Sequence, residues 1–410
     1  MSSVRIRRVK PKATIPLFSV AHFSHHLSTG VLVPLLPLLR EDLRFNYFQA
    51  GVLVAAFSLS YGFGQLPTGV LADRFGARIL IVAGLIGTAV TAAIVGLTHT
   101  YWQMIPCFIA LGLLGATYHA PASAFLSQVV PLDSRGQSLG THTIGGGASF
   151  LITPVLAVAI ASWAGGWRWA FVLLSVPALL MAPLMWALTR GIDLQEQAIR
   201  DGDCGPVAAG SNPGHRRNTP APTVSWREIL AAVGVLALLT VVLQVVVSSV
   251  HSYMPLYLVD RHSISPEYAG IVVGLVAGGG VLGAPVGGAI SDRMGRKWVI
   301  LLSLALAGPM LFVALQVPAT VWLPVSLAVY GVTISARMPA MESLIADVVQ
   351  PGKRATVLGI YYLAGQETAG IITPLVGRLI DLHGPDLVFL GLPAGLTIVA
   401  LVALAFRRRI

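Results

Sequence analysis

Several charged and amide side chains lie inside long apolar stretches, where they could bind a charged ligand or carry a proton. Glu367 and Gln366 lie near the middle of one stretch, and Arg337 and Glu342 lie in the stretch before it. A charge at the centre of a bilayer costs about 3 kcal/mol, so each needs a partner or a function. We predict that Glu367 exchanges protons and that Arg337 binds either Glu367 or an anionic ligand. Glu342 and Gln366 are further candidates for a cavity wall; structural ion pairs are the alternative for the three charged residues.

Histidines form the second group of ionisable residues in the apolar stretches. His22 and His26 are four residues apart and share one helix face, whereas His25 is predicted to point elsewhere. His26 is our alternative proton carrier, because imidazole titrates near neutral pH. His22, His119 and His142 are candidates for the cavity wall, and the alternative for each is a hydrogen-bonded neutral imidazole. Six histidines in all lie in the predicted apolar spans: His22, His25, His26, His119, His142 and His251.

Two histidines at i and i+4 together with a carboxylate would also suit a transition metal. No second acidic cluster supports such a site, and the two cysteines, Cys107 and Cys204, fall in a predicted span and in a loop. We therefore assign no metal site and no cofactor from the sequence. Export of a metal or a metal chelate is kept as a minor alternative.

The elements that must position these groups are apolar helices. Of the 410 residues 55% are hydrophobic and 11% charged, with a mean hydropathy of +0.77, whereas soluble domains carry about 25% charged residues. A helix crosses a bilayer with roughly 20 apolar residues. The sequence predicts an all-α protein with twelve such spans, near 15–39, 49–69, 79–98, 103–130, 137–162, 168–189, 228–258, 269–290, 298–316, 320–349, 355–380 and 387–406.

A charged ten-residue pattern occurs twice, each time between two apolar stretches. A glycine, then Asp-Arg, a second glycine and a basic residue recur in the same order, which indicates an internal duplication. Ile152-Thr153-Pro154 likewise matches Ile372-Thr373-Pro374. We predict that both turns help to close one face of the protein. Their residues are Gly69, Asp73, Arg74, Gly76 and Arg78 in the first copy, and Gly288, Asp292, Arg293 and Gly295 in the second.

The basic residues indicate how the chain is oriented. The formal charge is +10, and most Lys and Arg lie in the two ends, the middle segment and the short turns of one side. This asymmetry favours cytoplasmic termini in an inner membrane and not a nucleic-acid binder. A Gly- and Pro-rich middle segment divides the chain. We predict an N-terminal six-helix bundle at 1–190, a cytoplasmic linker at 191–226 and a C-terminal bundle at 227–410.

The repeated charged turn resembles the loop motif of the major facilitator superfamily. The run from Gly115 through His119-Ala-Pro121, followed by Arg135-Gly136, is similar to the fosmidomycin-resistance-like exporters of that superfamily. The first span departs from their pattern, because His25 and His26 stand where those exporters have Asn and Asp. The resemblance implies two pseudo-symmetric bundles of six helices around a central cavity.

Three hypotheses for function follow, none of them enzymatic. The first is a proton-coupled secondary transporter that exports a small organic molecule and acts as a monomer. The second is an importer or facilitator of an anionic metabolite that Arg337 recognises. The third is a membrane sensor or scaffold that transports nothing. No Gly-x4-Gly-Lys-Ser/Thr loop occurs in the sequence, so ATP is not the predicted energy source.

Overall fold

The computed structural model describes residues 11–129, 135–200, 226–318, 320–348 and 370–405. All regular structure in these residues is helical. The helices are α1 (Pro11–Thr29), α2 (Leu32–Leu43), α3 (Tyr47–Phe75), α4 (Ala77–Gly96), α5 (Tyr101–Val129), α6 (Arg135–Trp163), α7 (Trp167–Arg200), α8 (Trp226–His262), α9 (Pro266–Met294), α10 (Arg296–Gln316), α11 (Trp322–Ser335), α12 (Arg337–Val348), α13 (370–383) and α14 (Pro385–Ala405).

The helices have the length and composition of membrane spans. Eight segments within the described residues are long and apolar enough to cross a bilayer. The other four predicted spans correspond to the pair α1 and α2, to α3, to the pair α11 and α12, and to the described part α13. The prediction of an all-α protein with twelve spans in two bundles is confirmed. The helix α7 continues beyond its apolar part to Arg200, through the first ten residues of the segment predicted as a linker.

Two predicted spans are broken where one continuous helix was expected. The first is interrupted at Gly30 and Val31, and the tenth at Ala336. In both places a proline follows within one helical turn of the break. Pro34 has no N–H to donate to the carbonyl of Gly30, and Pro339 has none for Ser335. These breaks place His26 and Arg337 beside interruptions in their spans.

Each charged turn is made by a glycine between two helices. Gly76 separates α3 from α4 with φ +89°, and Gly295 separates α9 from α10 with φ +90°. L residues with a side chain rarely adopt this conformation, so the turn requires glycine. At their N-terminal ends, away from the charged turns, α3 and α9 are capped by side chains. Asn46 forms a reciprocal capping box with the third residue of α3, and the side chain of Ser265 accepts a hydrogen bond from the backbone N–H of Tyr268 in α9.

The two halves pack closely where α6 meets α9. A methyl group added at Gly274 of α9 would lie 2.8 Å from Cβ of Pro154 in α6. Glycine therefore allows the two helices to approach more closely than any larger residue would. The same side of α9 also faces α2, where a methyl at Gly270 would lie 2.6 Å from the carbonyl oxygen of Pro34. These contacts join the halves around the central space.

Candidate functional site

A cavity lies between the two halves and is bounded by helices from both. It has two adjoining lobes of about 140 Å³ and about 250 Å³. The first lobe is mostly apolar and is lined by Phe57, Phe150 and Pro154 among others. We call the two lobes together the central cavity. The residues that line both lobes are Val54 and Ser58 of α3, His251 of α8 and Ala277 of α9.

The larger lobe is lined by hydroxyl and amide groups. Their number is high for a wall formed by apolar helices, and they can donate and accept hydrogen bonds in the space between the halves. The hydroxyl of Tyr330 is buried and has no hydrogen-bond partner among the described residues. An unpaired buried hydroxyl on a cavity wall is suited to a polar ligand. The polar lining residues are Ser58, Gln244, Ser248, His251, Ser252, Tyr330, Ser335 and Thr373.

Arg337 lies beside this lobe. The residue begins α12, directly after the break in the tenth span, and is 5% exposed. It interacts electrostatically with Tyr330, which lies two helical turns earlier and lines the cavity. A buried guanidinium near a polar cavity could bind an anion bidentately. The other residues predicted for this region are not described: the side chain of Glu342 and the whole of Gln366 and Glu367 lie outside the described residues.

A cluster of histidines fills the interior of the first half, where α1, α5 and α6 meet. The ring centroids of His22 and His26 are 4.9 Å apart, and His119 lies 4.9 Å from the first and 5.1 Å from the second. His142 stacks on His22 at 4.3 Å. The structure thus brings together all four histidines predicted as site residues. We call His22, His25, His26, His119 and His142 the histidine cluster.

The prediction that His25 points away from this group is wrong. Its ring lies 5.0 Å from that of His26 and 5.4 Å from that of His119. It also stacks on Tyr118 at 4.8 Å, and its Nε2 lies 3.4 Å from the hydroxyl of Tyr61. His25 is three residues from His22, and this spacing also places two side chains on one side of a helix. The prediction for His25 rested on the spacing of four residues alone.

The cluster adjoins the central cavity. Phe150 contacts the His26 ring, with centroids 4.6 Å apart, and also lines the cavity. Thr29, whose hydroxyl lies 3.3 Å from Nδ1 of His26, lines it as well. His251, which was not predicted as a site residue, lies in the cavity wall. The sequence signal for it was a histidine inside an apolar span.

The two charged turns lie at one end of the molecule. Arg78 is buried, donates a hydrogen bond to the carbonyl of Trp186 and places its guanidinium 3.7 Å from the centre of that ring. Arg74, Asp292 and Arg293 are exposed. Gly69 and Asp73 belong to α3, but the surroundings of Gly69 and the side chain of Asp73 are not described; a methyl group added at Gly288 would lie 3.8 Å from Cβ of Pro339. In the second half it is Arg296 that donates to a backbone carbonyl, that of Ser343, at 2.7 Å.

The opposite end is held closed by polar contacts between the halves, which the sequence did not predict. Arg40 of α2 makes a bidentate ion pair with Asp260 of α8, and the hydroxyl of Tyr47 donates to the same carboxylate at 2.6 Å. The backbone N–H groups of Tyr47 and Phe48 donate to Asp381 of α13 at 3.0 and 2.9 Å. We call this the closed end. The helix α3, with 29 residues, separates it from the turn at Gly76.

Comparison with known proteins agrees with this architecture. The model of the Major Facilitator Superfamily matches residues 18–263 and again 236–410, so the chain belongs to that family. It is therefore a multi-pass membrane protein, and its family and fold are those of transporters of small molecules. The resemblance inferred from the charged turns is confirmed.

Individual relatives are distant. The chain is 27% identical to the probable sulfoacetate transporter SauU of Cupriavidus necator, over 90% of this chain and 87% of that protein. It is 21% identical to the fosmidomycin resistance protein of Escherichia coli, over 90% and 87%. The inward-facing, unoccupied structure of a bacterial homolog of the human lysosomal transporter Spinster superposes with a TM-score of 0.76 at 17% identity, covering 100% of this chain and 97% of that one.

Proposed function

We propose that the protein is a proton-coupled secondary transporter that exports a small polar organic molecule by alternating access. The observation that carries the proposal is the central cavity, which lies between the two halves and adjoins polar groups from both. A site in this position can be exposed to one side or the other when the halves rock against each other. The family of the chain supports the same general mechanism.

The moving units of the proposal are the N-terminal bundle at 1–190 and the C-terminal bundle at 227–410, joined by the segment 191–226. The closed end lies on the extracellular side in this proposal, and the charged turns and both termini lie in the cytoplasm. The molecule would then be inward-facing, and separation of Arg40 and Tyr47 from Asp260 would open it outward. A single copy contains the whole cavity, so we propose that a monomer is the functional unit.

The substrate in this proposal binds in the larger lobe of the central cavity. Tyr330, Ser335 and Gln244 supply hydrogen bonds there, and Arg337 supplies a positive charge at its edge. Glu367 carries the coupling proton in this proposal, because the sequence predicts it near the middle of an apolar span, where a charged carboxylate is costly and a proton could be exchanged with either side. The further cavity candidates from the sequence are His22, His119, His142, Glu342 and Gln366.

Import of an organic anion is the second candidate for function. The buried Arg337 beside Tyr330 favours it, because a guanidinium suits carboxylate or sulfonate oxygens. The similarity to a protein described as a probable sulfoacetate transporter favours an organic anion as the substrate. Export is favoured by the similarity to a protein described as a fosmidomycin resistance protein.

One experiment tests the general proposal and separates the two directions. Purified protein is first screened for thermal stabilisation by sulfonates, sugar acids and phosphonates, and the best ligand is then used in proteoliposomes of known orientation. A proton gradient imposed in either direction should drive accumulation of that ligand. When the extracellular side is the more acidic one, proton-driven movement out of the cytoplasmic side supports export, and movement toward it supports import. Absence of counterflow with every stabilising ligand would overturn the proposal of transport.

Arg337 is tested in the same assay with a matched control. We expect Arg337→Gln to weaken binding of an anionic ligand by about 10-fold or more, since a charge-assisted bidentate contact contributes about 1.5–3 kcal/mol. Arg378→Gln removes an exposed arginine of α13 and should leave binding unchanged. Equal effects of the two changes would remove Arg337 from the proposed site.

A further inference from the structure

Three imidazoles of the histidine cluster meet at one point inside the first half. His22 and His26 come from successive turns of α1, and His119 comes from α5. One ring nitrogen from each can be chosen so that all three lie within 4.8 Å of one another. We propose that His22, His26 and His119 form a binding site for a divalent transition-metal ion, with Zn²⁺ as the best-fitting ion. This goes beyond the proposed function and does not depend on it.

The ring of His22 is already oriented as a ligand. Its Nδ1 lies 2.9 Å from the carbonyl oxygen of His142. A carbonyl oxygen can only accept, so Nδ1 carries the proton and Nε2 presents a lone pair. Histidine ligands in metal sites are held in this way, with the second ring nitrogen donating to a carbonyl or a carboxylate.

The lone pair on Nε2 of His22 has no other use in the described structure. This atom is buried and has no hydrogen-bond partner among the described residues, and the residue is only 6% exposed. A buried nitrogen of this kind is usually hydrogen-bonded. Its position beside His26 and His119 makes a metal ion the natural partner. His142 is itself fixed by a contact of its Nδ1 with the carbonyl oxygen of Phe18 at 3.1 Å, which secures the carbonyl that holds His22.

The choice of ion follows from the ligand atoms. The ligand set identified in the described residues is imidazole only. Ca²⁺ and Mg²⁺ require oxygen ligands, whereas Zn²⁺, Co²⁺, Ni²⁺ and Cu²⁺ accept imidazole. Zn²⁺ binds three histidines at about 2.0–2.1 Å and leaves a fourth position open. Nitrogens bound to one ion at this distance lie closer together than 4.8 Å. We therefore expect the three rings to move slightly inward when the ion binds.

The open position has a consequence for the ligand. Three neutral imidazoles leave the charge of the ion uncompensated in an apolar interior, so the fourth ligand is expected to be an anion. His26 adjoins the central cavity through Thr29 and Phe150. The fourth position is thus available to hydroxide or to an acidic group of a molecule in the cavity.

The metal site is tested by direct binding to the full-length protein. The protein is purified with an affinity tag that contains no histidine, stripped with EDTA and titrated with Zn²⁺ by calorimetry. Co²⁺ is then added as a spectroscopic probe, because its visible absorption reports four-coordinate nitrogen ligation. We expect one equivalent of Zn²⁺ to bind at micromolar concentration or tighter, and Zn²⁺ to displace Co²⁺.

Variants show whether the three histidines hold the ion. His22→Ala, His26→Ala and His119→Ala should each weaken Zn²⁺ binding at least 100-fold and abolish the Co²⁺ absorption. His99→Ala removes an exposed histidine outside the histidine cluster and the central cavity, and should bind Zn²⁺ as the wild type does. If His22→Ala aggregates in size-exclusion chromatography, His22→Gln is used in its place, because the glutamine amide can still donate to the carbonyl of His142.

Two outcomes would overturn the proposal. The first is a wild-type protein that binds less than one equivalent of Zn²⁺ at about 100 µM, a concentration roughly 100-fold above the expected micromolar affinity. The second concerns a variant in which His22, His26 and His119 are all changed to alanine. If this variant bound Zn²⁺ as tightly as the wild type, the ion would lie elsewhere. Neither measurement involves transport, so failure of the metal site and failure of the proposed transport function are distinguishable.

Discussion

The hydroxyl of Tyr47 donates a 2.6 Å hydrogen bond to Asp260, although the two residues belong to different halves of the chain. Arg40 binds the same carboxylate with two nitrogens. One carboxylate of the second half therefore joins two side chains of the first. Contacts of this kind have to break before the closed end can open, so in the proposed alternating-access mechanism they contribute to the equilibrium between the two conformations.

We expect Asp260→Asn to increase opening at the closed end several-fold. The change removes the charge that Arg40 pairs with, and a charge-assisted contact contributes about 1.5–3 kcal/mol. The measurement is labelling of Val33→Cys, which lines the central cavity, by a membrane-impermeant maleimide added from the side of the closed end, in a protein whose Cys107 and Cys204 are replaced by serine.

Asp386→Asn is the control for this change. Asp386 pairs with Arg261 at 3.0 Å, but both residues belong to the second half and are 57% exposed. The labelling rate should stay at the wild-type value in this variant. Equal rates in the Asp260→Asn and Asp386→Asn variants would contradict a role for Asp260 in closure.

Asp381 stabilises the start of α3 from the other half of the molecule. It accepts from the backbone N–H groups of Tyr47 and Phe48, which have no partner within the helix. Asp381→Ala should therefore speed hydrogen exchange of these two amides about 5-fold, since a helix cap contributes about 1 kcal/mol. Hydrogen exchange read by mass spectrometry on the peptide around residue 47 measures this. Asp381→Asn, which keeps an acceptor, should have a smaller effect; an equal effect would indicate that packing, and not capping, protects the amides.

The sequence predicted the fold well because the apolar stretches are long and regular. Their length requires membrane-spanning helices, and the repeated charged turns require two related halves. The breaks at Gly30 and Ala336 were missed, although Pro34 and Pro339 marked them, because the other prolines inside helices leave those helices continuous.

The site was predicted in part. The spacing of His22 and His26 placed them on one face, but their proximity to His119 and His142 depends on how α1 crosses α5 and α6. No spacing within one helix contains that information. The contact of Tyr47 with Asp260 depends on the relative position of the two halves, which changes with conformation and is absent from local sequence.

We expect the first charged turn to control the rate of transport and not the affinity for the ligand. We predict that Asp73→Asn slows transport and leaves equilibrium ligand binding intact, because the turn lies at the end of α3 farthest from Tyr47 and outside the cavity wall. Asp292→Asn, in the second copy, should have the smaller effect. Counterflow rates and ligand-induced thermal shifts of the two variants measure the two properties. Loss of binding in Asp73→Asn, with a larger effect on rate from Asp292→Asn, would show that the assignment is wrong.

Asp42 links stability to pH at the closed end, outside the apolar part of its span. Burial acts to raise the pKa of its carboxyl, but hydrogen bonds from Trp167 at 3.0 Å and Arg168 at 2.8 Å outweigh it, so the pKa lies below its ordinary value of 3.8. A lowered folded pKa contributes stability that is complete above the ordinary value and is lost as pH falls through the folded value.

Thermal unfolding in detergent between pH 6 and pH 2.5 tests this link. The wild-type protein should lose stability below about pH 4 more steeply than Asp42→Asn, which has no proton to bind there. Glu41→Gln, a change in the exposed neighbouring residue, is the control and should follow the wild-type profile. Identical profiles for wild type and Asp42→Asn would show that the contacts with Trp167 and Arg168 do not depend on the charge of Asp42.

Glu367 is predicted to carry the proton that drives transport. Glu367→Gln preserves the size of the side chain and its hydrogen bonding but cannot gain or lose a proton. The variant should therefore lose proton-driven accumulation and keep counterflow, which exchanges substrate for substrate without net proton movement. Proteoliposomes with and without an imposed pH gradient measure both activities, and Asp386→Asn, an exposed carboxylate at the closed end, should retain both. Retention of proton-driven accumulation in Glu367→Gln would show that the proton travels through another group.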